Sequence, residues 1–234
     1  MARRLAQEYP NVLLMRPRVT NWGGWTLSRI LLDAIELALE QDAGWTHFVN
    51  LSGVCLPIKP IEEIRASLGR EPELAWVELR HFASLPPDDW HLRWHPMLEL
   101  PHKAVKLPGA RRPPRDFELE YKGSQWCILP RDFCEWQRAA PVAARIRRYL
   151  RSLLLSDELL MQTLVRNGPW RSHVAPFHGR AIVWPGPKVM TMADWDMLER
   201  SPAFFARKFD PEHDGAVIDA VLRKIGVTSV PVAA

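Results

Sequence analysis

The chain has 234 residues, 47% hydrophobic and 25% charged, with a formal net charge of +4. That balance excludes a disordered chain and allows one large domain with a sizeable core, and the mild positive excess suits an anionic ligand or an acidic membrane surface without a nucleic-acid module. Three cysteines without CxxC spacing (Cys55, Cys127, Cys134) exclude a disulfide framework or zinc site and point to a reducing compartment, and no run of about 18 apolar residues exists to cross a membrane.

In chain order, Ala2 to Glu8 reads as the end of a helix stopped by Pro10, and the opening segment lacks the apolar core of a signal peptide. Asn11 to Met15 is expected as a short apolar strand. A loop carrying Asn21-Trp22-Gly23-Gly24 leads into an amphipathic helix, Thr26 to Gln41, with Leu27, Ile30, Leu31, Ala34, Ile35 and Ala38 at helical spacing. Trp45 to Leu51 reads as a buried strand, 52–60 as a loop at its carboxyl end, Ile61 to Leu68 as a helix and Leu74 to Leu79 as a further strand. This alternation predicts an α/β fold with a mostly parallel central sheet flanked by helices, in which ligands sit at the carboxyl ends of strands.

Residues 83–115 are rich in Pro, Trp, His and Arg without periodicity and predict an irregular excursion acting as a lid. Phe117 to Tyr121 reads as an edge strand. Arg131 to Arg138, Pro141 to Leu153 and Asp157 to Arg166 read as helices, Ala181 to Trp184 as a strand, and Met192 to Glu199 and Gly215 to Lys224 as the last helices, with a frayed tail after Val227. The organisation is one domain over 1–234, with a first part (1–82), the excursion (83–115) and a second part (116–226). The densest basic stretch, Arg145 to Arg151, reads as a solvated helix face.

Several motifs are decoys. Asp194-Trp195-Asp196 spells a metal-binding D-x-D, but it lies at a helix start, where aspartate is favoured by capping. His91 and His95 have the i,i+4 spacing of zinc ligands with no third ligand in reach. Ser52 lacks the G-x-S-x-G elbow of a hydrolase. Eleven tryptophans against three tyrosines are unusual; indole faces pack on sugar rings and equally fill cores.

Four segments carry a family resemblance: Val19 to Trp25 (VTNWGGW), Phe48 to Ile58 (FVNLSGVCLPI), Gly123 to Arg131 (GSQWCILPR), and the pair Ser156 to Leu164 (SDELLMQTL) with Phe204 to Asp210 (FFARKFD). In this order and spacing they resemble the core-2/I-branching N-acetylglucosaminyltransferase and peptide O-xylosyltransferase family. The resemblance implies a GT-A-like fold and inverting transfer of GlcNAc or xylose from a UDP-sugar to a hydroxyl of a glycan, polysaccharide or peptide, without a metal ion or other cofactor. The hydroxyl then needs a carboxylate to take its proton, and the departing diphosphate needs fixed cations.

By resemblance Glu158 is the general base, on a helix N-terminus capped by Ser156; carboxylates are also favoured there by the helix dipole. Lys208 and Arg207 match the diphosphate clamp, with Arg180 and Lys188 in the region where the family supplies a further cation. Trp126, Ser124 and Gln125 are candidate sugar contacts, and Gly123 lets the backbone approach closely; Trp126 equally fits a core indole. Asp157, Glu78 and Trp22 complete the acceptor-side candidates. The first βα unit of the family's nucleotide half is expected to be missing. An earlier start, an inactive copy or a partner chain would each account for that. The rival reading is a non-catalytic carbohydrate-binding or scaffold protein. A cytoplasmic enzyme, peripheral on the membrane and with no nucleic-acid partner, is the expected setting.

Overall fold

The computed structural model describes residues 2–41, 44–111, 115–184 and 186–227; the tail beyond Val227 lies outside them. Helix α1 (Ala2–Glu8) is followed by an extended segment and by α2 (Trp25–Gln41), β1 (His47–Val49), β2 (Cys55–Pro57), α3 (Ile61–Arg70), β3 (Trp76–Val77) and β4 (Arg80–His81). Then come 3-10 turns at Phe82–Ser84 and Trp90–Arg93, the hairpin strands β5 (Met97–Leu100) and β6 (Lys103–Lys106), β7 (Tyr121–Lys122) and β8 (Cys127–Pro130). Helices α4 (Arg131–Ala139) and α5 (Pro141–Leu150), a 3-10 turn at Ser156–Glu158 and α6 (Leu160–Arg166) lead to β9 (Arg180–Ile182), α7 (Trp195–Arg200), β10 (Phe205–Arg207) and α8 (Gly215–Lys224).

The fold class is α/β, but the sheets are small and mostly antiparallel, which corrects the expectation of a parallel central sheet. Strand β8 lies between β1 and β3, antiparallel to both. Strand β10 lies between β2, antiparallel, and β9, parallel. Apolar runs announce a buried strand but carry no information on its neighbours' direction. Here β8, far along the chain, inserts between β1 and β3. Asn11 to Met15 forms no strand; Leu13 and Leu14 are exposed. Residues 52–60 contain β2, and the excursion contains the β5–β6 hairpin, paired from Met97↔Lys106 to Leu100↔Lys103. Of the expected 117–121 strand only Tyr121 is paired, with His81.

Why the helices form is legible locally. Helix α2 places Ser28, Ile35 and Leu39 on one buried stripe, and α5 starts with Pro141 at its first turn, where a missing N–H costs nothing. One apolar cluster joins α2, α4, α5, α6 and the β8 sheet through Ile35, Val77, Leu129, Phe133, Ile146, Leu150 and Leu160. A second joins the β10 sheet to α7 and α8 through Ile58, Ala206, Leu198, Val217 and Val221. Between them Trp76 packs its ring on Phe204, 4.9 Å between centroids, and on Phe177, 5.4 Å. Trp136 and Trp170 likewise pack around Phe133, so part of the tryptophan excess is core. Among the described residues no helix is long and apolar enough to cross a membrane.

Leu129 is fully buried in the middle of β8, within the first cluster. Leu129→Ala should lower unfolding stability by about 2–5 kcal/mol, the usual cost of a large-to-small change in a packed core, measured by urea denaturation.

Candidate functional site

The 3-10 turn Ser156–Glu158 is positioned from three sides. Leu155, at φ 59°, turns the chain through the left-handed region, a strained conformation for a leucine, and its N–H donates to the Gly23 carbonyl at 2.8 Å. Ser156 is not the side-chain cap that the sequence suggests. Its hydroxyl is buried against that of Ser28 on α2 at 3.1 Å. The Glu158 carbonyl accepts from the Gly123 N–H at 3.0 Å. A Cβ at Gly123 would lie 2.1 Å from the Glu78 carbonyl oxygen, so the close backbone approach there requires glycine.

The Glu158 side chain meets a histidine ring and a lysine ammonium. His91 Nε2 lies 3.1 Å and Lys122 Nζ 3.7 Å from Oε2. Asp89 anchors both partners: Oδ1 is 2.7 Å from His91 Nδ1 and Oδ2 3.1 Å from Lys122 Nζ. Burial raises the Glu158 carboxyl, but the His91 ring and the Lys122 ammonium outweigh it and leave it below its ordinary value. Burial likewise raises Asp89, yet the His91 backbone N–H, the His91 ring and Lys122 together bring it down to about 2. Asp157 behaves oppositely. Burial first, then the Glu158 charge, push its carboxyl up to about 6, and its Oδ1 is buried without a hydrogen-bond partner among the described residues. Adjacent carboxyl groups in one turn are thus driven apart: Glu158 ionises below its ordinary value while Asp157 keeps its proton to a higher pH.

Beside Glu158 a cavity of about 410 Å³ is lined by Trp22, Pro86, Asp88, Trp90, Lys122 and Leu155, among others. Trp22 is 76% exposed and Trp90 50%, so two indole faces flank its mouth. The Trp22 loop is pinned by Glu99 of β5. Its carboxylate accepts from Asn21 Nδ2 at 3.0 Å and from the Thr26 hydroxyl at 2.5 Å.

From Gly123 the loop runs to Trp126. The Ser124 N–H donates to Glu78 Oε2 at 2.8 Å, and Gln162 on α6 donates to the Ser124 carbonyl at 2.9 Å. Asn50 receives Gln125 and β8: its Nδ2 donates to the Gln125 carbonyl at 3.0 Å and its Oδ1 accepts from the Cys127 N–H at 2.8 Å. At the loop's far end the half-buried Trp126 ring lies 4.4 Å from the Arg207 guanidinium and 5.9 Å from that of Arg180.

These two arginines are unusual. Arg180 is 4% exposed and donates to the carbonyls of His178, Asn50 and Cys127, and burial brings it down to about 10. Burial also lowers Arg207. The Nε of each is buried without a hydrogen-bond partner, and among the described residues neither guanidinium has a carboxylate partner. Desolvated, uncompensated positive charge is costly and is relieved by a bound anion. Lys208 follows directly after β10; its N–H reaches the Lys188 carbonyl at 3.4 Å, and among the described residues it has no ion-pair partner. The Lys188 ammonium, by contrast, is held on Asp194 at 2.6 and 2.8 Å. Asp194 also closes a capping box with Thr191, so the D-x-D carboxylate serves a helix start. Among the described residues no group of three metal-ligand side chains converges.

The structure therefore gathers Glu158, Asp157, Glu78 and Ser124 around one loop end and Gln125, Trp126, Arg180 and Arg207 around the other, with Lys208 next to Arg207. It sets Lys188 on Asp194. The sequence reading missed Asp89 and Lys122, and it weighed His91 only as a zinc ligand. No spacing links them; the one local signal is Asp89 capping its own 3-10 turn, where its Oδ1 accepts from the His91 N–H at 3.0 Å. A larger cavity, about 720 Å³, lies apart from this site between α2, α4 and α5, lined by Arg18, Arg29, Arg147, Arg148 and Arg151 together with Asp33 and Glu36. The basic run 145–151 contributes to it, and Arg147 is half-buried rather than fully solvated.

Residues 1–214 match the family model of the Core-2/I-branching enzyme. Xylosyltransferase 2 of Rattus norvegicus is 27% identical over 243 residues, covering 92% of this chain and 27% of that protein. Xylosyltransferase oxt of Drosophila melanogaster is 25% identical over 245 residues, again 92% of this chain and 27% of the relative. A human beta-1,3-galactosyl-O-glycosyl-glycoprotein beta-1,6-N-acetylglucosaminyltransferase 3 is 22% identical over 189 residues, 80% of this chain and 42% of that protein. The chain thus spans about a quarter of the length of the xylosyltransferases that it matches.

With Asp89 at about 2 in the folded chain and about 3.9 when unfolded, its ion pairs contribute stability that is complete above about pH 4 and lost as pH falls toward 2. Asp89→Asn should cost about 1–2 kcal/mol at neutral pH, allowing for solvent screening, with the gap to wild type closing as pH falls toward 2 in urea titrations.

Proposed function

This chain belongs to the Core-2/I-branching enzyme family, and on that premise we propose that it is a GT-A-like inverting glycosyltransferase moving xylose or GlcNAc from a UDP-sugar to an acceptor hydroxyl. One observation carries the reading. Glu158 and the Arg207 guanidinium meet opposite ends of the four-residue loop 123–126. The three steps from Gly123 to Trp126 reach at most about 10 Å between their Cα atoms when extended, so one short loop links the turn that bears Glu158 to the guanidinium end.

In this mechanism Glu158, kept ionised by His91 and Lys122, removes the acceptor proton as its oxygen attacks the anomeric carbon from the face opposite the diphosphate. The glycosidic oxygen–carbon bond forms as the bond to the diphosphate oxygen breaks, and the electron pair leaves with UDP. Arg207, Arg180 and Lys208 meet the charge that develops there, so the proposal calls on side chains rather than a metal ion. Trp126, against the two guanidiniums, is the sugar platform. Trp22 and Trp90 border the acceptor pocket, whose occupant is a glycan, polysaccharide or peptide hydroxyl.

Calorimetry and turnover separate the parts. UDP binding should weaken roughly 10-fold or more in Arg207→Ala and in Lys208→Ala, as loss of a charge-assisted contact implies. Glu158→Gln should bind UDP like wild type while hydrolysis or transfer from UDP-xylose or UDP-GlcNAc drops by about 10²–10⁴. No UDP binding at millimolar concentration would favour a non-catalytic carbohydrate-binding or scaffold protein instead.

A further inference from the structure

We infer that the arginine-lined cavity between α2, α4 and α5 is a second anion site, taking a small ligand that carries two or more linked phosphate groups. It lies apart from the loop that joins Glu158 to Arg207 and does not depend on the roles given to either.

The distribution of charge carries the inference. Six arginines and two carboxylates line a volume of about 720 Å³, a local excess as large as the +4 of the whole chain. Both carboxylates are already engaged. Asp33 lies between Arg18 and Arg29, at 2.7 and 2.6 Å, and Glu36 meets Arg138 at 3.7 Å. Among the described residues Arg147, Arg148 and Arg151 have no carboxylate within ion-pair distance. Arg147 is the most constrained of them. It is half-buried, and its guanidinium donates to the Gln137 carbonyl and to Gln137 Oε1, the latter at 2.9 Å. Gln137 is itself buried, and its Nε2 donates to the Cys134 carbonyl at 3.2 Å, so its amide oxygen is held toward the arginine. A guanidinium is thus fixed in place without being neutralised. Burial lowers Arg147 from its ordinary value, Glu36 opposes that and Arg29 adds to it.

The helix dipole accounts for only part of this. Arg147 and Arg148 lie in the last turn of α5, where cations are favoured. Arg18 ahead of α2, Arg29 on α2 and Arg138 on α4 reach the same cavity from other elements, and no single helix end explains them.

Shape and side-chain type select the ligand. A recess of several hundred Å³ suits a small molecule, whereas a membrane or an extended polymer needs a broad outer face. Every cation in the lining is an arginine, whose planar fork can hold two phosphate oxygens at once. Three guanidiniums without a carboxylate call for more than a single negative charge, which a diphosphate or triphosphate group supplies. Trp25 adds an aromatic wall for an uncharged part of the ligand.

Inorganic tripolyphosphate is the probe, titrated by calorimetry into the full chain carrying Arg207→Ala, which weakens the guanidinium end of the loop. Binding should persist in that background and fall with added salt. It should loosen at least about 10-fold on Arg148→Glu or Arg147→Gln. Glu36→Gln, which removes a negative charge from the lining, should instead tighten it severalfold, a gain that a misfolded chain cannot produce. No binding at millimolar concentration, or binding that none of these cavity substitutions changes, overturns the assignment. So does capture of the chain by phosphatidylserine vesicles through Arg148 with no binding of tripolyphosphate, which would give the arginines to a membrane surface. Loss of UDP binding in Arg207→Ala with tripolyphosphate binding retained separates this site from the one on the loop.

Discussion

The hydrogen bond from the Gly123 N–H to the Glu158 carbonyl is the contact on which the site depends. It joins the turn bearing the carboxylate to the loop that ends at Trp126, and it forms only because position 123 has no Cβ to strike the Glu78 carbonyl. Everything around it fixes that turn further: the buried serine pair from α2, the Leu155 N–H on the Gly23 carbonyl, and α6, whose Gln162 holds the next residue of the loop. The elements supplying these contacts come from widely separated parts of the chain, so the site exists only when the first apolar cluster is assembled.

Charge is sorted along the same loop. At one end two carboxylates and two nitrogen bases compensate one another within hydrogen-bonding distance, leaving Glu158 ionised. At the other end two guanidiniums lie against one indole with no carboxylate among the described residues to neutralise them. A basic end that is desolvated and uncompensated is expensive to keep in a folded chain unless an anion occupies it for part of its life. The acidic end is already compensated by its own nitrogen partners. This asymmetry is what the proposed displacement, with its neutral nucleophile and anionic leaving group, would use.

Legibility in the sequence followed the range of the interaction. Helix α2 announced itself by the spacing of its apolar residues, and β1 and β3 by short apolar runs, because burial of one face is a local pattern. Strand β10 was not expected, although Ala206 is fully buried, because its identity comes from pairing with β2 and β9, about 150 and 25 residues away in sequence. The hairpin in the excursion was hidden for the same reason: Met97 and Leu100 are separated from regular periodicity by proline and histidine, and Glu99 earns its place only through the Asn21 and Thr26 groups it anchors.

What the sequence by itself determined is therefore the set of helices and the α/β class, since propensity, capping and apolar spacing are written in neighbouring positions. Tertiary structure alone decided the antiparallel order of the sheets, the diversion of Lys188 to Asp194, and the meeting of Asp89, His91 and Lys122 with Glu158. Those depend on which side chains share a few ångströms of low-dielectric space, and electrostatic coupling at that distance has no counterpart in sequence separation.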